Sequence, residues 1–148
     1  MPLTNDVSCV SPGYCAAGGD YSDRRGRGQG FVAGERNGRW GRAAGIPGLA
    51  ALNAGRDAEE VSVSCASAGN CTAGGFYTDR HHGEQGFLVT ERNGRWGKAI
   101  QVPGLGALNT GGFAEVASVS CDLAGNCAAG GSYNEGFRTQ GFVASRSG

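Results

Sequence analysis

Two sets of residues in this chain could carry chemistry, and both recur with one fixed period. The first is cysteine. Cys9 and Cys15, Cys65 and Cys71, and Cys121 and Cys127 each enclose five residues, and the pairs repeat every 56 residues inside the phrases SCVSPGYCAAGG, SCASAGNCTAGG and SCDLAGNCAAGG. Two thiols that flank a small Gly-, Ser-, Ala-, Pro- or Asn-rich loop on facing strands come close enough to be oxidised to a disulfide. Structural zinc usually takes about two to four residues between paired cysteines and a second pair close by. The histidines, His81 and His82, are adjacent in one repeat, which fits zinc poorly. The spacing therefore predicts three local disulfides and an oxidising, extracellular compartment, with zinc or free buried thiols as the competing readings. No metal or other cofactor is expected.

The second set is polar and aromatic. Tyr21, Asp23, Arg24, Gln29, Glu35, Arg36 and Trp40 return as Tyr77, Asp79, Arg80, Gln85, Glu91, Arg92 and Trp96. The third copy offers Tyr133, Asn134, Glu135, Gln140 and Arg146, after a one-residue deletion and without a tryptophan. Planar hydrogen-bonding groups beside an aromatic surface are what sugar hydroxyls and sugar C–H faces require, with modest affinity per site. The same residues have plainer uses. Trp40 and Trp96 could fill the gap between neighbouring units. Glu91 and Arg92 are neighbours on a strand and point to opposite faces, so one of them at most serves a given pocket. The loops DYSDRRGRGQ, FYTDRHHGEQ and SYNEGFRTQ cluster on one rim, as a recognition surface or as a solvated edge with His81 and His82 exposed.

Catalysis finds little in the sequence: no nucleophile elbow and no phosphate loop framed by strand and helix. Asp23, Glu35, Asp79 and Glu91 could in principle pair as the carboxylates of a glycosidase. Equivalent residues spread over several copies suit multivalent binding better than one reaction centre.

The elements that must position these residues read as strands. Twenty-nine glycines without a collagen period separate short runs such as VSVSC, CTAGGFY, QGFLVTER and RWGKAI, which makes the class all-β. Asn93-Gly94 predicts a type I′ hairpin turn, and the Gln-Gly-Phe steps place Phe31, Phe87 and Phe142 in the core. Pro103 and the glycines after it predict an irregular crossover in place of a helix. Four strands in sequence followed by a crossover describe the blades of a β-propeller, with a β-trefoil as the rival. One domain over residues 1–148 is expected, with repeats at about 7–60 and 61–116 and a partial one at 117–148.

The third copy stops before the position of Trp96. A trefoil closes only with three full units, and a propeller needs at least about four blades. Closure is expected by association into a head-to-tail homodimer, with a trimer as the less favoured ring. Thirteen basic and thirteen acidic residues cancel, which argues against nucleic acid or an anionic membrane as partner. No membrane-spanning run is present, and Met1 to Val10 has no leader pattern, so an exported protein's leader would lie outside this chain.

The SCxSxxxCxAGG phrase with its downstream NGRW hairpin resembles the repeats of secreted actinobacterial β-propeller proteins over nearly the whole chain. TERNGRWGKAIQVPG is similar to the blade motif of short-chain propeller lectins that bind fucose, whose two-blade chains oligomerise into a complete ring. In that family a Glu and an Arg grip sugar hydroxyls while a Trp stacks on the sugar. The resemblance implies those roles for Glu35 or Glu91, Arg36 or Arg92, and Trp40 or Trp96. It implies a secreted, multivalent lectin whose partners are glycans. The alternatives are a fragment or relative of a sialidase- or glycosidase-like propeller enzyme and a protein-interaction scaffold.

Overall fold

Each repeat opens with a hairpin closed by its cysteine pair. In the computed structural model, which describes residues 2–148, Leu3–Ser11 (β1) and Tyr14–Ser22 (β2) pair so that Cys9 faces Cys15. Gly28–Arg36 (β3), Arg39–Trp40 (β4), Ala44–Gly45 (β5) and a helical turn, Leu49–Leu52 (α1), complete the first repeat. The second follows as Ala58–Ser67 (β6), Asn70–Thr78 (β7), Glu84–Arg92 (β8), Arg95–Trp96 (β9), Ile100–Gln101 (β10) and Leu105–Leu108 (α2). The third holds Ala114–Cys121 (β11), Cys127–Glu135 (β12) and Arg138–Arg146 (β13). Three antiparallel sheets result, and the all-β class stands. Among the described residues no helix is long and apolar enough to cross a membrane.

The three expected disulfides are present, Cys9–Cys15, Cys65–Cys71 and Cys121–Cys127. Each locks the end of a hairpin, and in the first two repeats the Asn-Gly turn is seated on that end. Asn37 and Gly38 have φ of 51° and 76°, Asn93 and Gly94 50° and 80°, the two positive angles that a type I′ turn demands. The N–H of Gly38 donates to the carbonyl of Gly13 at 3.1 Å, and that of Gly94 to Gly69 at 2.8 Å. A Cβ on Gly13 would meet the Gly38 nitrogen at 2.8 Å, so this docking needs glycine. Cysteine loop and Asn-Gly turn thus form one rim of each of the first two sheets.

Two features depart from the sequence expectation. The fourth strand is only two residues long, and a second two-residue strand returns to the same edge, so that Leu88 pairs Ile100 while Glu91 pairs Trp96. The crossover also contains a helical turn. Leu49 and Leu105 open these turns and are 1% and 2% exposed, so burial of one leucine holds a turn that local propensity would not. Asn53, buried behind α1, donates to the Gly28 carbonyl at 3.0 Å and accepts from the N–H of Asp57 and Thr78 at 2.9 and 3.2 Å. Because Thr78 lies in the next repeat, this asparagine also ties two repeats together.

The sheets stack face to face with their first strands β1, β6 and β11 side by side. Side-chain oxygens on one first strand accept from backbone N–H groups on the next. Asp6 accepts from Val63 at 2.9 Å and Ser8 from Cys65 at 3.0 Å; Ser62 accepts from Val119 at 3.0 Å and Ser64 from Cys121 at 2.9 Å. Between these sheets lie two cores. Ala16, Val32, Ile46 and Leu49 meet Val63, Ala73, Phe87 and Val89; Leu88, Val102 and Leu105 meet Val116, Val119, Ala129 and Phe142. Each fully buried Val, Leu or Phe contributes about 1.5 to 3 kcal/mol.

Candidate functional site

The sequence set divides between two opposite rims. Gln29 and Glu35 stand six residues apart on β3, which separates them by about 20 Å along the strand. Tyr21, Asp23, Arg24 and Gln29 and their counterparts therefore belong to the rim of the β2–β3 type loops, while Glu35, Arg36 and Trp40 and their counterparts belong to the cysteine rim.

On the loop rim the polar groups brace the loops themselves. Asp23 accepts from the N–H groups of Arg25 and Arg27 at 2.8 and 3.0 Å, pairs with the Arg27 guanidinium at 2.8 Å and receives Gln29 at 3.4 Å. The bond from the Arg27 N–H leads in holding its pKa down at about 2. Asp79 repeats the pattern with His81, Gly83 and Gln85 at 2.8, 3.0 and 3.0 Å. Burial opposes its ionisation, and these bonds outweigh burial, leaving its pKa lowered. Arg24 and Arg80 are exposed, the latter donating to His81 at 3.2 Å; His81 and His82 are exposed as well. Tyr77 is buried in the first core, which raises its pKa. Tyr21 packs against Phe31 with ring centroids 6.4 Å apart, and Tyr133 packs on the second core. In the third copy the Asn134 backbone bonds Gly111 and Phe113, while Glu135 is exposed with Gln140 at 3.5 Å.

The cysteine rim is built differently, because its charged groups meet across repeat boundaries. A narrow cleft between the first two repeats is lined by Tyr14, Glu35, Arg36, Ser67 and Glu91. Arg36 leaves the end of β3 and lays its guanidinium over the Gly94 turn of the next repeat. Glu91 is 8% exposed; burial raises its pKa, and the charge of Arg36 pulls it back down. The next boundary holds a cleft of about 220 Å³ lined by Ser67, Asn70, Glu91, Arg92, Leu123 and Arg146. Arg146 faces Cys127 as Glu35 faces Cys15 and Glu91 faces Cys71, so a cation stands where the other repeats carry an acid. It donates to Thr72 Oγ1 at 3.3 Å.

No protein-family model matches the chain, and no curated protein matches it. What the clefts can do follows from their own residues. Guanidinium forks and a carboxylate at the mouth of a shallow cleft offer both donors and acceptors to a polyhydroxyl ligand. The two tryptophans differ: Trp96 is half-buried and packs on the first core, while Trp40 is 49% exposed. Trp96→Ala should therefore cost roughly 2 kcal/mol of stability. Trp40→Ala should cost under about 1 kcal/mol, a difference that thermal unfolding of the two variants would read directly.

Sequence reasoning missed two features here. The clefts straddle repeats, a property that within-repeat periodicity does not contain. Glu60, fully buried and with neither carboxylate oxygen partnered among the described residues, was the other, although its counterparts Thr4 and Val116 mark it as the odd member of its position.

Proposed function

We propose that the protein is a secreted, multivalent carbohydrate-binding lectin on a β-propeller of 56-residue repeats, with its sugar sites in the clefts between successive repeats. The observation that carries this reading is the cleft of about 220 Å³ at the second boundary, where Arg92, Glu91 and Arg146 meet, with Arg36 of the repeat before set beside the same Glu91. The face-to-face stack with adjacent first strands supports a propeller. Three disulfides support an extracellular setting. Binding is favoured over glycoside hydrolysis because Asp23 and Asp79 are spent on their loops and lie on the rim opposite Glu35 and Glu91.

A glycan array together with red-cell agglutination tests the reading. Arg36→Ala and Arg92→Ala each remove hydrogen bonds to a charged donor worth about 1.5 to 3 kcal/mol, so each affected site should weaken by roughly 10- to 100-fold. Agglutination should fall further than single-site titration, because avidity compounds the loss. Absence of binding to any glycan by the folded wild type would overturn the lectin reading.

A further inference from the structure

The second and third disulfides share one frame and one degree of shielding, and differ in what lies against them. Cys71 and Cys127 are buried, while Cys65 and Cys121 are half-buried. Residues directly opposite on antiparallel strands share a face, which sets the Glu91 carboxylate beside Cys71 and the Arg146 guanidinium beside Cys127. The preceding sheet adds to the contrast, because Ala16 holds at the first boundary the place that Thr72 holds at the second. Arg146 Nη2 donates to Cys127 Sγ at 3.6 Å and to Thr72 Oγ1 at 3.3 Å, and the buried Thr72 hydroxyl donates to the same sulfur at 3.5 Å. Glu91 also lines the cleft in front of Cys127, with Arg36 beside it as a counter-charge.

We propose that Cys121–Cys127 is a thiol-exchange site, at which a small-molecule thiolate attacks Cys121 Sγ and Cys127 departs as a thiolate held by Arg146 and Thr72. The more accessible sulfur is the one attacked, and the buried sulfur carries the charge to the place where a cation and a hydroxyl receive it. Exchange speeds up as the leaving thiolate becomes more stable, and a neighbouring guanidinium stabilises a thiolate. Beside Cys71 a carboxylate opposes the same negative charge. The new bond joins the incoming sulfur to Cys121, and the electron pair of the broken S–S bond leaves on Cys127. A second thiol carries the mixed disulfide on to two protein thiols, so that two thiols become one small disulfide while the protein takes up two electrons and two protons. The hairpin outlives the bond: Asp122 accepts from the N–H and the Nδ2 of Asn126 at 3.0 and 2.9 Å, which keeps Cys121 and Cys127 facing each other for reoxidation. Leu123, Ala124 and Gly125 of this loop line the cleft of about 220 Å³, so exchange acts on the wall of that cleft whatever the cleft binds.

The test incubates the folded full chain with reduced glutathione, quenches with iodoacetamide at intervals and reads each cysteine by peptide mass spectrometry. Cys121–Cys127 should open at least about tenfold faster than Cys65–Cys71, with glutathione on Cys121 and the alkyl group on Cys127. Arg146→Glu should remove this advantage and Arg146→Lys should keep most of it. Glu91→Arg should speed the opening of Cys65–Cys71, which asks the same question in another repeat. Equal rates for the two bonds in wild type, glutathione found on Cys127 instead of Cys121, or an order unchanged by both charge exchanges would overturn the proposal. Loss of the advantage in Arg146→Lys as complete as in Arg146→Glu would assign Arg146 to packing and overturn it as well.

Discussion

Glu60→Val should raise stability at pH 8 by roughly 3 to 4 kcal/mol more than it does at pH 4.5. Glu60 is fully buried between the first two sheets, and neither carboxylate oxygen has a hydrogen-bond partner among the described residues. Burial pushes its pKa up to about 8, and the charges of Asp6, Glu59 and Asp20 add to the push. Between the ordinary Glu value near 4.5 and about 8 the folded protein therefore keeps a proton that the unfolded chain releases. Stability is complete below that window and falls as pH rises through it. Valine fits the place, because Val116 occupies it in the third repeat: Glu60 faces Gly75 across the hairpin as Val116 faces Gly131, and Val116 is itself fully buried. Glu60→Gln should abolish the pH dependence while keeping an unsatisfied polar head, and so fall between the two in stability. Denaturant unfolding of the three proteins at pH 4.5 and 8 checks this. Parallel slopes against pH in wild type and Glu60→Val would place the charge cost elsewhere.

How much of this was legible depends on the range over which each feature is determined. The cysteine loops and the Asn-Gly turns were readable because both are local: a pair of thiols six positions apart on one hairpin, and two residues tolerant of positive φ. The turns α1 and α2 were not, since Leu49 and Leu105 are held by surfaces that other strands supply. The candidate site was legible in its residue types and not in its grouping. Period 56 says that Glu35 and Glu91 are equivalent; it does not say that Glu91 is matched with Arg36 of the repeat before it. The loop-rim set could have been read more closely. An Asp whose carboxylate can reach the N–H groups two and four residues later in the same loop is an Asx-type brace, which is how Asp23 and Asp79 are used.

Mutation at the two outer faces of the stack should control association, if a second copy closes the ring as the sequence leads one to expect. Both faces continue the internal pattern. Val7 holds the place of Val63 yet is 50% exposed where Val63 is 3%, and Val143 holds the place of Val32 yet is 78% exposed where Val32 is 2%. The ladder between first strands also has an open end. Ser118 and Ser120 occupy the places of Ser62 and Ser64, whose hydroxyl oxygens accept from Val119 and Cys121, and both are exposed, with no backbone N–H received from another strand among the described residues. The groups that would complete the step are the N–H of Val7 and of Cys9 in another copy. Val7→Asp or Val143→Asp would bury a charge at each of the two junctions of a head-to-tail dimer. At roughly 3 kcal/mol per ring, either should weaken the dimer by about 100-fold or more while leaving the isolated chain folded. Sedimentation of wild type and both variants over a concentration series reads this. A wild-type monomer at every concentration, with the outer valines still exposed, would remove the ring and confine the sugar sites to the boundary clefts within one chain.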